Sequence, residues 1–171
     1  MLGNEFAGQV AAAGNGVTSF RVGDRVFGYT EGPFGAHAEY LVIAENGRVA
    51  VMPPNLDYEQ AAPGTERAHY ALSHIRRAKI GSSHRVMVYG ATGAIGSAAV
   101  QLATPLLGGK KVVFAYPGLD QATVRHFARL METGQFTPLI DRRYPLEQIV
   151  DAYRYAETGQ KIGNLVITVA P

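Results

Sequence analysis

The sequence predicts an α/β fold: a small β portion first, then a strand–turn–helix unit of the kind found in parallel sheets. Three observations carry that expectation. The first third is built of short runs of β-forming residues punctuated by glycine and asparagine. After Pro53-Pro54 the apolar spacing becomes helical. Gly90, Gly93 and Gly96 then stand between an apolar run and a helix-forming stretch, which makes half of a βαβ unit.

Taken in order, Gln9 to Ala12, Arg25 to Tyr29, His37 to Ile43 and Arg48 to Met52 read as short strands. Gly14-Asn15-Gly16, Gly23-Asp24, Gly32-Pro33 and Asn46-Gly47 separate them, and glycine and asparagine accept the positive φ that tight turns demand. Such punctuation suggests a small barrel or sandwich. Tyr70, Ala71, Leu72 and Ile75 predict a helix over His69 to Arg77, closed by Gly81. Val86 to Tyr89 reads as a buried strand, Gly90 to Gly93 as a turn, and Ala94 to Ala103 as a helix with Ile95, Ala99 and Leu102 on one side. Pro105 and Gly108-Gly109 interrupt, and Lys111 to Ala115 contains a second buried-type strand. Asp120 is the N-cap expected for a helix carrying Val124, Phe127, Leu130 and Met131, which Gly134 stops. A further helix opens at Pro145, turns Leu146, Ile149, Val150 and Tyr153 inward, and ends at Gly159 before a last strand, Leu165 to Val169.

Composition excludes several classes. With 47% hydrophobic and 18% charged residues the 171-residue chain can bury a core, and a net charge of +2 argues for neither a nucleic-acid nor a membrane partner. There are no cysteines, so no disulfide, thiolate nucleophile or cysteine-based zinc site exists. No apolar run approaches the ~20 residues of a membrane span, and Met1 to Glu5 lacks the features of a signal peptide. A cytoplasmic location is the expectation.

Gly90, Gly93 and Gly96 form the one motif that carries chemistry. One glycine opens the turn, one lets the backbone approach a pyrophosphate, and one lets the helix pack on the strand, while the helix N-terminus offers free N–H groups. The expected cofactor-binding residues are therefore Gly90, Ala91, Thr92, Gly93, Ala94, Ile95 and Gly96. A tight strand–helix turn with no ligand would use the same glycines. The acidic ribose reader that follows such a turn by about 20 residues is missing: no Asp or Glu occurs before Asp120. Lys110 and Lys111 precede the second strand and are not assigned to a 2′-phosphate. There is no Tyr-x-x-x-Lys pair, nucleophile elbow or Walker loop, and His37, His69, His74, His84 and His126 show no metal-ligand spacing. No catalytic residue can be named.

Several segments resemble one family. Leu2-Gly3-Asn4-Glu5-Phe6-Ala7-Gly8, Val22-Gly23-Asp24-Arg25-Val26-Phe27-Gly28 and Gly35-Ala36-His37-Ala38-Glu39-Tyr40 are similar to the GroES-like domain of medium-chain dehydrogenase/reductases. The run from Ala91 to Ala103 resembles that family's pyrophosphate turn and helix, and Tyr144-Pro145-Leu146 onward its C-terminal return. The resemblance is to the zinc-independent, quinone-oxidoreductase-like branch: the zinc branch has Gly-His-Glu where this chain has Gly3-Asn4-Glu5.

What the resemblance implies is an α/β fold made of a partial GroES-like β-barrel and a shortened Rossmann-type βα unit. Residues 1–77 would be the partial catalytic domain, 78–135 the remnant dinucleotide-binding segment and 136–171 the return to the first domain. The family would already be past its first strands at Met1, and at Ala103-Thr104 the chain skips much of the Rossmann sheet. A reduced sheet joining Val86–Tyr89 to Val112–Ala115 would leave open edges that favour a homo-oligomer. The implied activity is hydride transfer from NADPH, or NADH, to a small quinone or carbonyl substrate, without zinc. The alternative is a non-catalytic remnant that dimerises or binds a partner. Tyr40 lies in a matching segment, though as a barrel aromatic it would be buried.

Overall fold

The computed structural model describes residues 2–30, 35–81, 84, 86–106 and 120–169. β1 (Glu5–Gln9) pairs antiparallel with β2 (Arg25–Tyr29), from Glu5 opposite Tyr29 to Gln9 opposite Arg25. β2 pairs antiparallel with β3 (Val49–Val51). Val26, Phe27, Tyr29, Val49 and Ala50 of this sheet are buried, which is the usual use of β-branched and aromatic residues on a pleated face.

Two helices lie on that sheet. α1 (Tyr58–Ala61) starts at a capping box in which Asp57 accepts from the Gln60 N–H and the Gln60 side chain accepts from the Asp57 N–H. In α2 (Glu66–Arg77), Ala68, Ala71, Leu72 and Ile75 are buried, the i, i+3, i+4, i+7 stripe of an amphipathic helix. α3 (Ala94–Ala103) packs on α2 with Ala98, Leu102 and Ala103 buried, the two alanines allowing close approach and the leucine filling the core. α4 (Gln121–Glu132) begins where Asp120 accepts from the Thr123 N–H at 2.8 Å, and it buries Val124, Phe127 and Met131. Phe27, Leu72, Leu102 and Phe127 belong to one apolar cluster, so the helix behind the glycine turn is seated in the same core as the β-sheet. Each such side chain contributes about 1.5–3 kcal/mol by burial.

The C-terminal unit is β4 (Ile140–Pro145), α5 (Ile149–Glu157) and β5 (Asn164–Thr168), with β4 and β5 parallel. Asp141 ties it together, accepting from the Ile162 N–H at 2.7 Å and the Tyr155 hydroxyl at 3.1 Å. Glu59 joins it to α1 by pairing with Arg143 and accepting from the Thr168 hydroxyl.

Several sequence expectations are corrected. The first strand is Glu5–Gln9 rather than Gln9 to Ala12, because β2 offers pairing partners only as far as Arg25. His37 to Ile43 forms no strand: Tyr40 and Val42 are 78% and 100% exposed, and strand propensity yields nothing without an adjacent edge. Val86 to Tyr89 forms no strand either, with Met87 82% and Tyr89 95% exposed, so an apolar run suited to a parallel sheet has no neighbours among the described residues. That removes one side of the expected reduced sheet; the other, Val112–Ala115, lies outside the described residues, as do Lys110 and Lys111. Ile95 faces out while Gly96 and Ala98 face in. On α5 the buried residue is Ala152, with Val150 and Tyr153 outward. β4 was not expected at all, since Asp141, Arg142 and Arg143 disguise a strand whose backbone does the pairing. The expectations for β2, β3, α3 and the Asp120 cap hold.

Candidate functional site

The glycine turn is built by three different requirements. Gly90 has φ +75°, a conformation that costs an ordinary residue about 1–2 kcal/mol. Gly96 is buried under the turn: a Cβ there would stand 2.7 Å from Gly90 C, 2.8 Å from Ala91 Cα and closer still to Gly90 O. Gly93 is different. It is the N-cap of α3 in extended conformation, and a Cβ on it would meet only Gly90 O at an ordinary 3.4 Å. No side chain caps α3. The first intrahelical bond runs from Ser97 N–H to Gly93 O at 2.8 Å, so the N–H groups of Ala94, Ile95 and Gly96 lie ahead of the helical ladder. Gly90, Ala91 and Thr92 are exposed, and Gly93 and Ala94 are half-buried. All seven expected residues are thus gathered into one turn and helix start, six of them reaching solvent and Gly96 buried beneath.

A neighbouring strand fastens this turn. Gly163, just before β5, donates its N–H to Thr92 O at 2.9 Å and forms a parallel bridge with Gly93. Lys161 Nζ donates to Gly163 O at 2.7 Å, which holds an ammonium beside the turn. Lys161 makes no ion pair among the described residues. Burial, and then the Arg67 guanidinium, hold this ammonium below the usual lysine range, against the pull of Asp141. With no ion pair of its own among the described residues, this ammonium sets a second positive end beside the helix N-terminus.

That space is a cleft of about 2240 Å³ between the first sheet, α2, the glycine turn and the C-terminal unit. Its size exceeds the ~300–1,000 Å³ of ordinary small-molecule pockets, so it is an open groove that could admit a dinucleotide together with a second molecule. Glu5 closes one side by capping α2 from outside: its Oε1 accepts from the Glu66 N–H at 2.7 Å and from the Thr65 N–H and hydroxyl at 3.2 Å each. Burial pushes the Glu5 carboxyl up, with Arg67 opposing. Asn4 donates to Glu66 Oε1 at 2.9 Å while its own Oδ1 is buried without a partner. His37 and Tyr153 line the groove as well.

Tyr40 is corrected here: it lines the groove but is 78% exposed, not a buried barrel aromatic. Sequence reasoning missed Lys161, Gly163 and Glu5. Gly163 is recognisable only once β5 is placed against the turn, and no local signal marks Glu5 as the cap of a helix sixty residues away. Among the described residues no three histidine, aspartate or glutamate side chains gather to hold a metal, and the sequence has no cysteine. The donor set a catalytic zinc requires is not assembled by these residues.

With the geometry in place, comparison with known proteins decides the family. The zinc-binding dehydrogenase profile matches residues 18–167. The chain belongs to that family. Within it, this is a medium-chain dehydrogenase/reductase of the quinone-oxidoreductase-like branch. Quinone oxidoreductase of Pseudomonas aeruginosa is 37% identical over 106 residues, 61% of this chain and 32% of that protein. 2-Methylene-furan-3-one reductase of Solanum lycopersicum is 33% identical over 247 positions, covering 99% of this chain and 63% of that protein. An alignment of 247 positions with a chain of 171 residues leaves at least 76 positions of the relative with no counterpart here. The chain therefore spans about a third of the quinone oxidoreductase and less than two thirds of the furanone reductase. The fold is similar to the structure of quinone oxidoreductase from Coxiella burnetii, with TM-score 0.88 at 17% identity, covering 99% of this chain and 79% of that one. Its architecture is a partial version of the family's GroES-like plus Rossmann fold. Among the described residues no helix is long and apolar enough to cross a membrane.

Proposed function

We propose that this chain is an NAD(P)H-dependent oxidoreductase that reduces a small quinone, enone or other activated carbonyl, with residues 90–96 holding the cofactor's pyrophosphate. The observation that carries the reading is Gly93, whose missing side chain serves no packing need while opening the start of an uncapped helix. The residues fit the group. The N–H groups of Ala94, Ile95 and Gly96 would bond the phosphate oxygens, and Lys161 would neutralise their charge. When bound, the nicotinamide supplies the hydride. The chain's own share is to position cofactor and substrate in the groove and to keep water from the reacting carbon. NADPH, or NADH, is the cofactor of this reading, and the acidic residue that would bond a ribose 2′-hydroxyl does not occur between Gly96 and Asp120.

The domain reading follows the same lines: 1–77 as the partial catalytic domain, 78–135 as the nucleotide segment and 136–171 as the return. We place the segment absent relative to the furanone reductase after Ala103. A second reading has its own support. Met87 and Tyr89 expose apolar surface beside the turn, as they would in a chain that self-associates or binds a partner without catalysis.

NADPH titration of the full chain by calorimetry separates the two. Saturable binding that Gly93→Val weakens about 100-fold is expected, followed by turnover of a quinone or enone. A folded chain that binds no NADPH would leave the interaction module.

A further inference from the structure

His37 occupies a built position in the groove. Its ring packs against the bare Cα of Gly3, where a Cβ would stand 2.5 Å from Cδ2 and 2.9 Å from Nε2. The segment carrying it is strapped to the lead-in of β1: His37 N–H donates to Leu2 O at 3.0 Å, and Gly35 and Ala36 N–H donate to Gly3 O at 2.9 and 3.0 Å. On another side Tyr153 of α5 meets the ring edge-on, with centroids 6.5 Å apart at 67°. The ring is thereby held from two parts of the chain that are far apart in sequence.

The two ring nitrogens differ. Among the described residues Nδ1 is buried with no hydrogen-bond partner, whereas Nε2 is not one of the buried unpaired atoms and no hydrogen bond to it is made. An orphaned buried N–H is rarer and costlier than an under-used acceptor. The ring therefore favours the tautomer with its proton on Nε2, the nitrogen that is not shut away from solvent, in a residue that lines the groove. Burial holds this imidazole below the usual histidine value, so it is neutral at pH 7.

We propose that His37 is the hydrogen-bond donor for the substrate's carbonyl oxygen, its Nε2–H engaging an α,β-unsaturated carbonyl lodged in the groove beside the glycine turn. The proposal rests on the reductase reading above. As the β-carbon of the enone accepts a hydride from the reduced nicotinamide, the C=C electron pair shifts and negative charge collects on the carbonyl oxygen. The Nε2–H donates to that oxygen without leaving the ring. Water then delivers a proton to the α-carbon, leaving a saturated ketone and the oxidised nicotinamide. A donor already fixed by Gly3 and Tyr153 need not reorganise as the charge develops, and this is the situation in which one hydrogen bond counts most.

Two measurements on the full chain test this. Ring ¹⁵N spectra, with His37→Gln assigning the signal, should show a neutral His37 protonated on Nε2 at pH 7; a charged ring or an Nδ1–H tautomer would overturn the proposal. Turnover of cyclohexenone with NADPH should fall about 100-fold in kcat for His37→Ala, while NADPH affinity is unchanged. His37→Gln, whose amide N–H₂ reaches a similar place, should recover much of that loss. Full turnover without His37, or no recovery in His37→Gln, overturns the assignment alone. A chain that binds no NADPH overturns the reductase reading and this proposal with it.

Discussion

Replacing Gly93 separates binding from folding, because the three glycines of the turn answer to different constraints. Gly93 already has an extended φ of −78°, and its Cβ would find only Gly90 O at 3.4 Å. Gly93→Val therefore adds no strain and removes some freedom from the unfolded chain, so stability should stay within about 1 kcal/mol of the parent. The same side chain would stand where a phosphate must approach the helix start. Losing two charge-assisted hydrogen bonds there, at about 1.5 kcal/mol each, costs about 3 kcal/mol, or about 100-fold in Kd. Gly96→Ala should behave in the opposite way. Its Cβ would lie 2.7 Å from Gly90 C, forcing the turn off the helix at about 1–3 kcal/mol and lowering Tm by several degrees. Calorimetric NADPH titration and thermal melts on both variants give the result. If Gly93→Val melts as early as Gly96→Ala, or binds NADPH as the parent does, the turn is a packing device and the cofactor argument fails.

Other expectations follow from single side chains. Lys161→Met should weaken NADPH binding about tenfold and flatten its salt dependence, since one ammonium is lost beside the phosphates; unchanged affinity would show that Lys161 serves only Gly163. His69 is 3% exposed, neither ring nitrogen has a hydrogen-bond partner among the described residues, and burial takes its pKa from 6.5 to about 4. The unfolded chain then binds the extra proton first as pH falls through that window, so stability should drop between pH 6.5 and about 4, by up to about 3 kcal/mol. Urea midpoints for His69→Phe should be flatter with pH there, and an equal slope in the variant would refute this. Asp120→Ala removes the cap of α4 and should cost about 1 kcal/mol, with Asp120→Ser close to the parent in melts.

Local chemistry made much of this fold readable. β2 and α3 were expected within their observed bounds, and Asp120 was recognised as a cap because a cap needs only its own helix. The glycine turn was readable for the same reason: Gly90 answers to backbone angle and Gly96, in the helix, to the turn backbone six residues before it. The strand readings at His37 to Ile43 and Val86 to Tyr89 failed because pairing is decided by what lies alongside. A β-forming run whose neighbours are absent from the described residues keeps its propensity and loses its ladder.

The sequence by itself determined the family, the glycine turn and the absence of any cysteine chemistry, all of which depend on residues close together in the chain. Only the tertiary structure decided what surrounds the turn. Lys161 reaches it through Gly163, and Tyr153 braces His37 from the far end of the chain. Glu5 caps a helix that begins at Glu66. Such pairings leave no periodic trace, since each partner satisfies its own local rules and they meet only when β5 and α2 close around one groove.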